Sequence, residues 1–168
     1  KVYLAFDSTD WRPTYYNVAD VLGAKNNSET IKELDVNKIF YLSVKEFFPD
    51  GENIIWLRDI VPLEGDDQFE MSFSANLLYG TYPGWSIIFN QMQLAYYMGI
   101  RELYLIGVDY SFSTPKKEKE VSKGYYVLES GGEVNHFHKD YRKPGEEWSK
   151  PRLDLQHKAF SIAKAFFE

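Results

Sequence analysis

The sequence predicts an α/β fold, a mainly parallel sheet with helices on both faces, and three observations carry that expectation. Leu103–Val108 (LYLIGV) is a nearly continuous apolar run that stops on Asp109. Strands that read this way are buried on both faces, as in parallel sheets covered by helices. Trp85–Met98 (WSIIFNQMQLAYYM) contains neither Gly nor Pro and is followed by Gly99, the pattern of a helix with its natural C-terminal stop. A helix that feeds a buried strand through a short loop is half of a βαβ unit. KIFYLS (38–43) and NIIWLRD (53–59) are short apolar runs bounded by turn residues, which supplies two further strands.

From the N-terminus, Lys1–Phe6 reads as a strand followed by the polar stretch DSTDWRP. It opens as the inside of a strand with no initiator Met, so the natural protein is expected to extend further at its N-terminus. Thr14–Asp20 is rich in β-formers and ends in Asp, a strand candidate. Ser28–Leu34 opens with a good N-cap and an early Glu, so a short helix is expected there. VKEFFPDG (44–51) ends in a turn signal. Residues 62–82 carry few periodic cues and read as a long loop, a feature that is usually functional or disordered. Within 113–134 the mixed-charge run KKEKEVSK is expected to be a mobile, solvated excursion. YYVLE (125–129) reads as a strand and SGGE (130–133) as a turn, and Pro151–Glu168 reads as an amphipathic helix. No internal repeat or low-complexity tract interrupts the chain, so 1–168 reads as a single domain.

Composition narrows the function. The length of 168 residues suits one core. A net charge of -6 argues against general nucleic-acid binding, which relies on neutralising phosphates with Lys and Arg. Cysteine is absent, which excludes disulfides and thiolate chemistry. No apolar run approaches the roughly 18–20 residues needed to cross a bilayer, and the opening residues do not read as a signal peptide, so none is expected there. The expected location is the cytoplasm, with room for peripheral association with an inner membrane. Aromatic residues make up 17% of the chain; most will be core, and the remainder offer stacking faces for a nucleobase or a sugar.

Several side chains are candidates for chemistry. Asp109, directly after the apolar run, falls where ligands bind in open α/β sheets, outside the carboxyl ends of the strands; turn-capping is the equal alternative. NHFHKDY (135–141) holds two of the three histidines. If it is extended, His136, His138 and Asp140 share one face, a trio suited to proton transfer or, with less specificity, to a divalent metal. In YGTYPGWS (79–86), Gly84 and Ser86 lead into the long helix. They could present N–H groups to a phosphate, although plain N-capping is the simpler role. Asp7, Ser8, Asp10 and Asp20 follow expected strands and are rim candidates by position alone. His157 follows Asp154 by three residues, the spacing of helix neighbours. No P-loop, GxGxxG, HExxH or GxSxG is present.

The combination of WSIIFNQMQLAYYMGIRELYLIGVDYSF (85–112) with NHFHKDYRKPGEEW (135–148) resembles the Rossmann-like core of bacterial glycan-modifying transferases. It is similar to the lipooligosaccharide sialyltransferases and, more closely, to sialyltransferase-like proteins of surface-polysaccharide clusters. Related domains occur in motility accessory factors and in archaeal 6-hydroxymethylpterin diphosphokinases. The likeness is good over 85–112, fair over 135–160 and weak elsewhere. It implies a Rossmann-like fold, with Asp109, Tyr110 and Gly107 at a CMP-sugar, Ser86 and Gly84 at the helix bordering the nucleotide, and His136 or His138 as general base; the carboxylate two residues after His138 favours His138 as base, with Asp140 orienting it and His136 contacting substrate or phosphate. Two features depart from the family pattern: Tyr110 is followed by Ser111 rather than completing a tyrosine pair, and the family's Gly-rich turn and site Asn would lie upstream of Lys1.

The function so implied is transfer of a sugar from a nucleotide-activated donor, expected to be CMP-linked, to a bacterial surface glycan. No metal or other cofactor is required for that chemistry, and a homo-oligomer is compatible with it. One alternative is Mg²⁺-dependent pyrophosphoryl transfer to a pterin-like alcohol; another is a non-catalytic sugar- or nucleotide-binding module.

Overall fold

In the computed structural model, which describes every residue except Asp50, Glu52, 62–69 and 130–133, three short parallel strands form the first sheet. β1 (Tyr15–Val18), β2 (Asn37–Tyr41) and β3 (Ile54–Leu57) lie side by side in that order. Tyr16 stands opposite Lys38, and Phe40 opposite Trp56. Alternation along the strands sorts their side chains onto two faces. Tyr16, Val18 and Phe40 pack with Ala24 and Ile31 of helix α1 (Val21–Lys32). Each Val or Phe so buried contributes roughly 1.5–3 kcal/mol, enough to hold α1 on this face. β2 is the central strand and is buried from Lys38 to Tyr41. The Lys38 ammonium is satisfied by the Leu34 carbonyl at 2.5 Å.

Helix α2 (Ile87–Tyr97) lies over the other face, where its Asn90 neighbours Tyr41. Its Phe89 and Met92 pack with Ala159 and Ala163 of α3 (Leu153–Phe167), small residues that let the two helices approach. Phe73 joins this cluster, stacked on Phe166 with ring centroids 4.3 Å apart. The fully buried Gln93 accepts from the Ser74 N–H (2.8 Å) and the Tyr82 N–H (3.0 Å). Its amide donates to the carbonyls of Tyr82 (2.9 Å) and Phe89 (3.3 Å). These bonds fasten the stretch before α2 onto the helix. A second, antiparallel sheet follows, formed by β4 (Glu118–Ser122), β5 (Tyr125–Leu128) and β6 (Trp148–Ser149). Among the described residues no helix is long and apolar enough to cross a membrane.

The mixed α/β class, with a parallel sheet flanked by helices, agrees with the sequence reading, but several elements differ. Val2–Ala5 is a 3-10 helix rather than a strand. Its backbone bonds are local, Leu4 to Lys1 and Phe6 to Tyr3, because β-formers without a neighbouring ladder satisfy their N–H groups elsewhere. α1 begins after Asp20, not at Ser28, which lies inside it. KKEKEVSK, read as a mobile, solvated excursion, contributes strand β4, whose residues from Lys119 to Ser122 are exposed while Glu118 turns in to pair with Lys150 at 2.6 Å. Residues 135–141 form bends and a turn, with the Tyr141 N–H bonded to the His138 carbonyl at 3.0 Å, so they are not extended. The SGGE turn (130–133) and residues 62–69 of the expected 62–82 loop lie outside the described residues.

The largest difference concerns Leu103–Val108, expected as a strand buried on both faces. The segment has no strand pairing, and Tyr104 and Ile106 are 85% and 93% exposed. Leu103 packs on the α2–α3 cluster, while Gly107 (φ 68°) and Tyr110 (φ 49°) take left-handed conformations that interrupt any extended run. An apolar run reports that burial is favourable; it does not say which edge is available to pair with.

Candidate functional site

The carboxyl ends of the three parallel strands carry the polar side chains that open α/β sheets use for ligands. After β1 comes Asp20, whose carboxylate accepts from the Leu22 N–H (3.3 Å) and the Gly23 N–H (2.8 Å) and caps α1. After β2 comes Ser43, whose hydroxyl donates to Asp59 Oδ2 at 3.1 Å and lies 3.4 Å from the Ala19 carbonyl. After β3 comes Asp59, bridged to Thr81. Burial pushes the Asp59 carboxyl above the ordinary carboxylate range, and the Ser43 hydroxyl opposes that shift. Beneath this rim, between the sheet and α2, are Asn17, Tyr41, Thr81 and Asn90. Asn90 Nδ2 donates to Thr81 Oγ1 at 3.0 Å. Burial raises the Tyr41 hydroxyl to about 12.

The α2 N-terminus borders the rim. Ser86 caps the helix by accepting from the Ile88 N–H at 3.3 Å. A Cβ on Gly84 would lie 2.4 Å from Phe89 Cδ1, so packing against Phe89 is what requires glycine there. Trp85, between them, has a positive φ of 52°; non-glycine residues rarely adopt this conformation. The first turn of α3 holds this corner and Tyr110 together. Gln156 Nε2 donates to the Trp85 carbonyl at 2.7 Å, and the Tyr110 hydroxyl donates to the carbonyl of Leu153, one turn earlier on the same helix. The Tyr110 ring lies 5.8 Å from that of His157. Strained residues of this kind tend to cluster at functional sites.

The structure therefore brings Tyr110, Ser86 and Gly84 to one corner. Asp109 and Gly107 are exposed on the unpaired segment, not at the end of a sheet strand; the expectation that Asp109 terminates a buried strand is corrected accordingly. Asp7, Ser8 and Asp10 follow a 3-10 helix and are exposed. Asp154 pairs with Arg152 at 2.8 Å rather than with His157.

His136, His138 and Asp140 sit on a turn, so alternation does not align them. His136 stacks on Tyr141 with centroids 3.6 Å apart, and Tyr141 accepts from the Lys1 α-amine at 3.0 Å. His138 Nδ1 accepts from the backbone N–H of Asp140 at 3.1 Å, so backbone rather than the Asp140 carboxylate orients this ring. The neutral imidazole then carries its proton on Nε2. Asn135 ties the turn to Ser113 through two hydrogen bonds, 2.7 and 2.8 Å. Among the described residues no three His, Asp or Glu side chains converge to hold a metal ion.

Ser43, Asp59, Asn17, Tyr41 and Asn90 were not singled out from the sequence. For Ser43 and Asp59 a signal was present: each closes an apolar run read as a strand, the same feature that singled out Asp109. Compared with protein-family models, curated proteins and solved structures, the chain matches none.

Proposed function

We propose that this protein transfers a sugar from a nucleotide-activated donor, CMP-linked by the resemblance over 85–112, to a hydroxyl of a bacterial surface glycan, within a Rossmann-like α/β frame. The observation that carries the reading is the corner built by α3, where Leu153 and Gln156 hold Tyr110 beside the Ser86-capped end of α2. A helix N-terminus favours the negative charge that a departing nucleotide phosphate develops; the Ser86 hydroxyl adds a donor, as does that of Tyr110 once its proton leaves the Leu153 carbonyl. The rim residues Ser43 and Asp59 extend the same edge with groups able to pair with sugar hydroxyls.

In this chemistry the acceptor oxygen forms a bond to the anomeric carbon, and the bond from that carbon to the phosphate oxygen breaks. The nucleoside monophosphate leaves with the bonding electrons. A histidine of the 136–138 turn takes the acceptor proton. His138 does so once the bond from the Asp140 N–H to its Nδ1 opens, because its Nε2 already carries a proton.

Thermal unfolding with saturating CMP tests the reading. A ligand at a hundred times its Kd stabilises by about 2.7 kcal/mol, which moves the Tm by several degrees. CMP should raise the Tm, and Tyr110→Phe and Ser86→Ala should shrink that shift. No shift with any cytidine nucleotide overturns the donor assignment, and stabilisation by ATP with Mg²⁺ instead would favour pyrophosphoryl transfer.

A further inference from the structure

A groove of about 550 Å³ runs between the sheet and the C-terminal half of α2. Its size falls within the roughly 300–1,000 Å³ of small-molecule sites, which are mostly apolar with a few polar groups that fix orientation. β2 contributes the buried Ile39, and the edge strand β3 contributes Ile55 and Leu57, which share one face. Across from them stand Leu94, Tyr97 and Met98, spaced three and four apart along α2. Ile55 is 55% exposed, and Tyr97 and Met98 are exposed as well. Contiguous apolar surface left open in this way marks a binding site more often than scattered exposure does.

Among the described residues one charged side chain lines the groove, that of Arg58. It directly follows β3, at the end next to the rim, where Leu42 and Arg58 precede Ser43 and Asp59. Its guanidinium has no hydrogen-bond, ion-pair or ring partner among the described residues, and the Asp59 carboxylate is turned to Ser43 instead. The start of the side chain is nevertheless held in place. A Cβ on Gly80 would fall 2.7 Å from Arg58 Cγ, and the Arg58 carbonyl accepts from the Thr81 N–H at 3.0 Å. Gly80, at a φ of 102°, thus leaves the room in which the Arg58 stem lies. The chain carries 25 Asp and Glu residues, yet no described carboxylate lines the groove to neutralise this arginine.

We propose that this groove binds a single aliphatic chain ending in a carboxylate, with the chain between β3 and α2 and the carboxylate on the Arg58 guanidinium. Ile55 to Arg58 covers about 10 Å at roughly 3.3 Å per residue, so the chain lies along β3 with its head at the rim end. The planar guanidinium matches a carboxylate with two parallel hydrogen bonds. The ligand enters as a dissolved molecule and not from a bilayer, because a net charge of -6 opposes approach to an anionic membrane surface. Neither Arg58 nor the apolar lining takes part in the sugar transfer proposed above, so the inference stands apart from that reading.

Calorimetric titration of the whole chain with octanoate, decanoate and 1-octanol, each below its micelle or solubility limit, tests it. Octanoate should bind one site per chain about tenfold more tightly than 1-octanol, the order of one hydrogen bond to a charged group. Decanoate should bind roughly tenfold more tightly than octanoate, through two further buried methylenes. Arg58→Gln should equalise octanoate and 1-octanol and leave the Tm unchanged, since the side chain is exposed and unpaired. Ile55→Asp, also at an exposed position, should weaken all three compounds. Equal binding of octanoate and 1-octanol by the wild type, a preference that survives Arg58→Gln, or no gain with chain length overturns the proposal. So does an absence of saturable binding. In that case cosedimentation with phosphatidylglycerol vesicles would make the groove a membrane contact, and a dimer dispersed by Ile55→Asp would make it an interface between copies.

Discussion

The hydroxyl of Ser43 donates to the carboxylate of Asp59 at 3.1 Å, joining the ends of two adjacent parallel strands. Burial raises the Asp59 pKa despite that bond, so the folded state holds its proton more tightly than the unfolded chain does. The sign follows from linkage. Protonated Asp59 favours the fold at low pH, and stability is lost as pH rises from the ordinary carboxylate value through the raised folded value. Asp59→Asn should therefore raise the Tm at neutral pH relative to the wild type, and the gap should close in acid. A gap independent of pH would contradict this origin.

Gln93 has both amide groups satisfied in a fully buried position. Gln93→Leu leaves the Ser74 and Tyr82 N–H groups without their acceptor, at a cost of about 1–3 kcal/mol for each that stays buried. Urea denaturation should show the loss, and hydrogen exchange should speed up at Ser74 and Tyr82 before it does in β2.

Gly84 has no room for a methyl group, since Phe89 atoms lie 2.4–2.5 Å from where its Cβ would be. Gly84→Ala should destabilise by about 1–3 kcal/mol through overpacking. The double variant Gly84→Ala with Phe89→Leu should recover part of the loss relative to the sum of the single changes, which a double-mutant cycle measures.

His138 and His136 divide the proposed base role by geometry. Replacing the true base by Ala should lower turnover about 10²–10⁴-fold while leaving the CMP-induced Tm shift in place. If His138→Ala retains activity and His136→Ala loses it, the base is the ring stacked on Tyr141. Wild-type transfer by both variants would remove the turn from the mechanism.

By itself the sequence determined the elements whose signals are local. β1, β2, β3, β5 and α3 lie where alternation, β-propensity or amphipathic spacing put them. The end of α2 coincides with Gly99, which takes the left-handed φ of 85° expected after a helix. Tertiary structure decided the rest. Leu103–Val108 has the apolarity of a buried strand, yet lies unpaired, because pairing depends on which backbone edge is near and that is not encoded within the run. α1 starts at Asp20 because the carboxylate caps Leu22 and Gly23 and the sheet buries Ala24 and Ile31, contacts that local propensity at Ser28 does not contain. The rim set of Asp20, Ser43 and Asp59, like the buried group of Asn17, Tyr41 and Asn90, exists only once parallel pairing aligns the strand ends. Asp20 is a rim candidate by position, and Ser43 and Asp59 each close an apolar run, but Asn17, Tyr41 and Asn90 are unremarked in their own segments, and only strand pairing and the packing of α2 bring each set together.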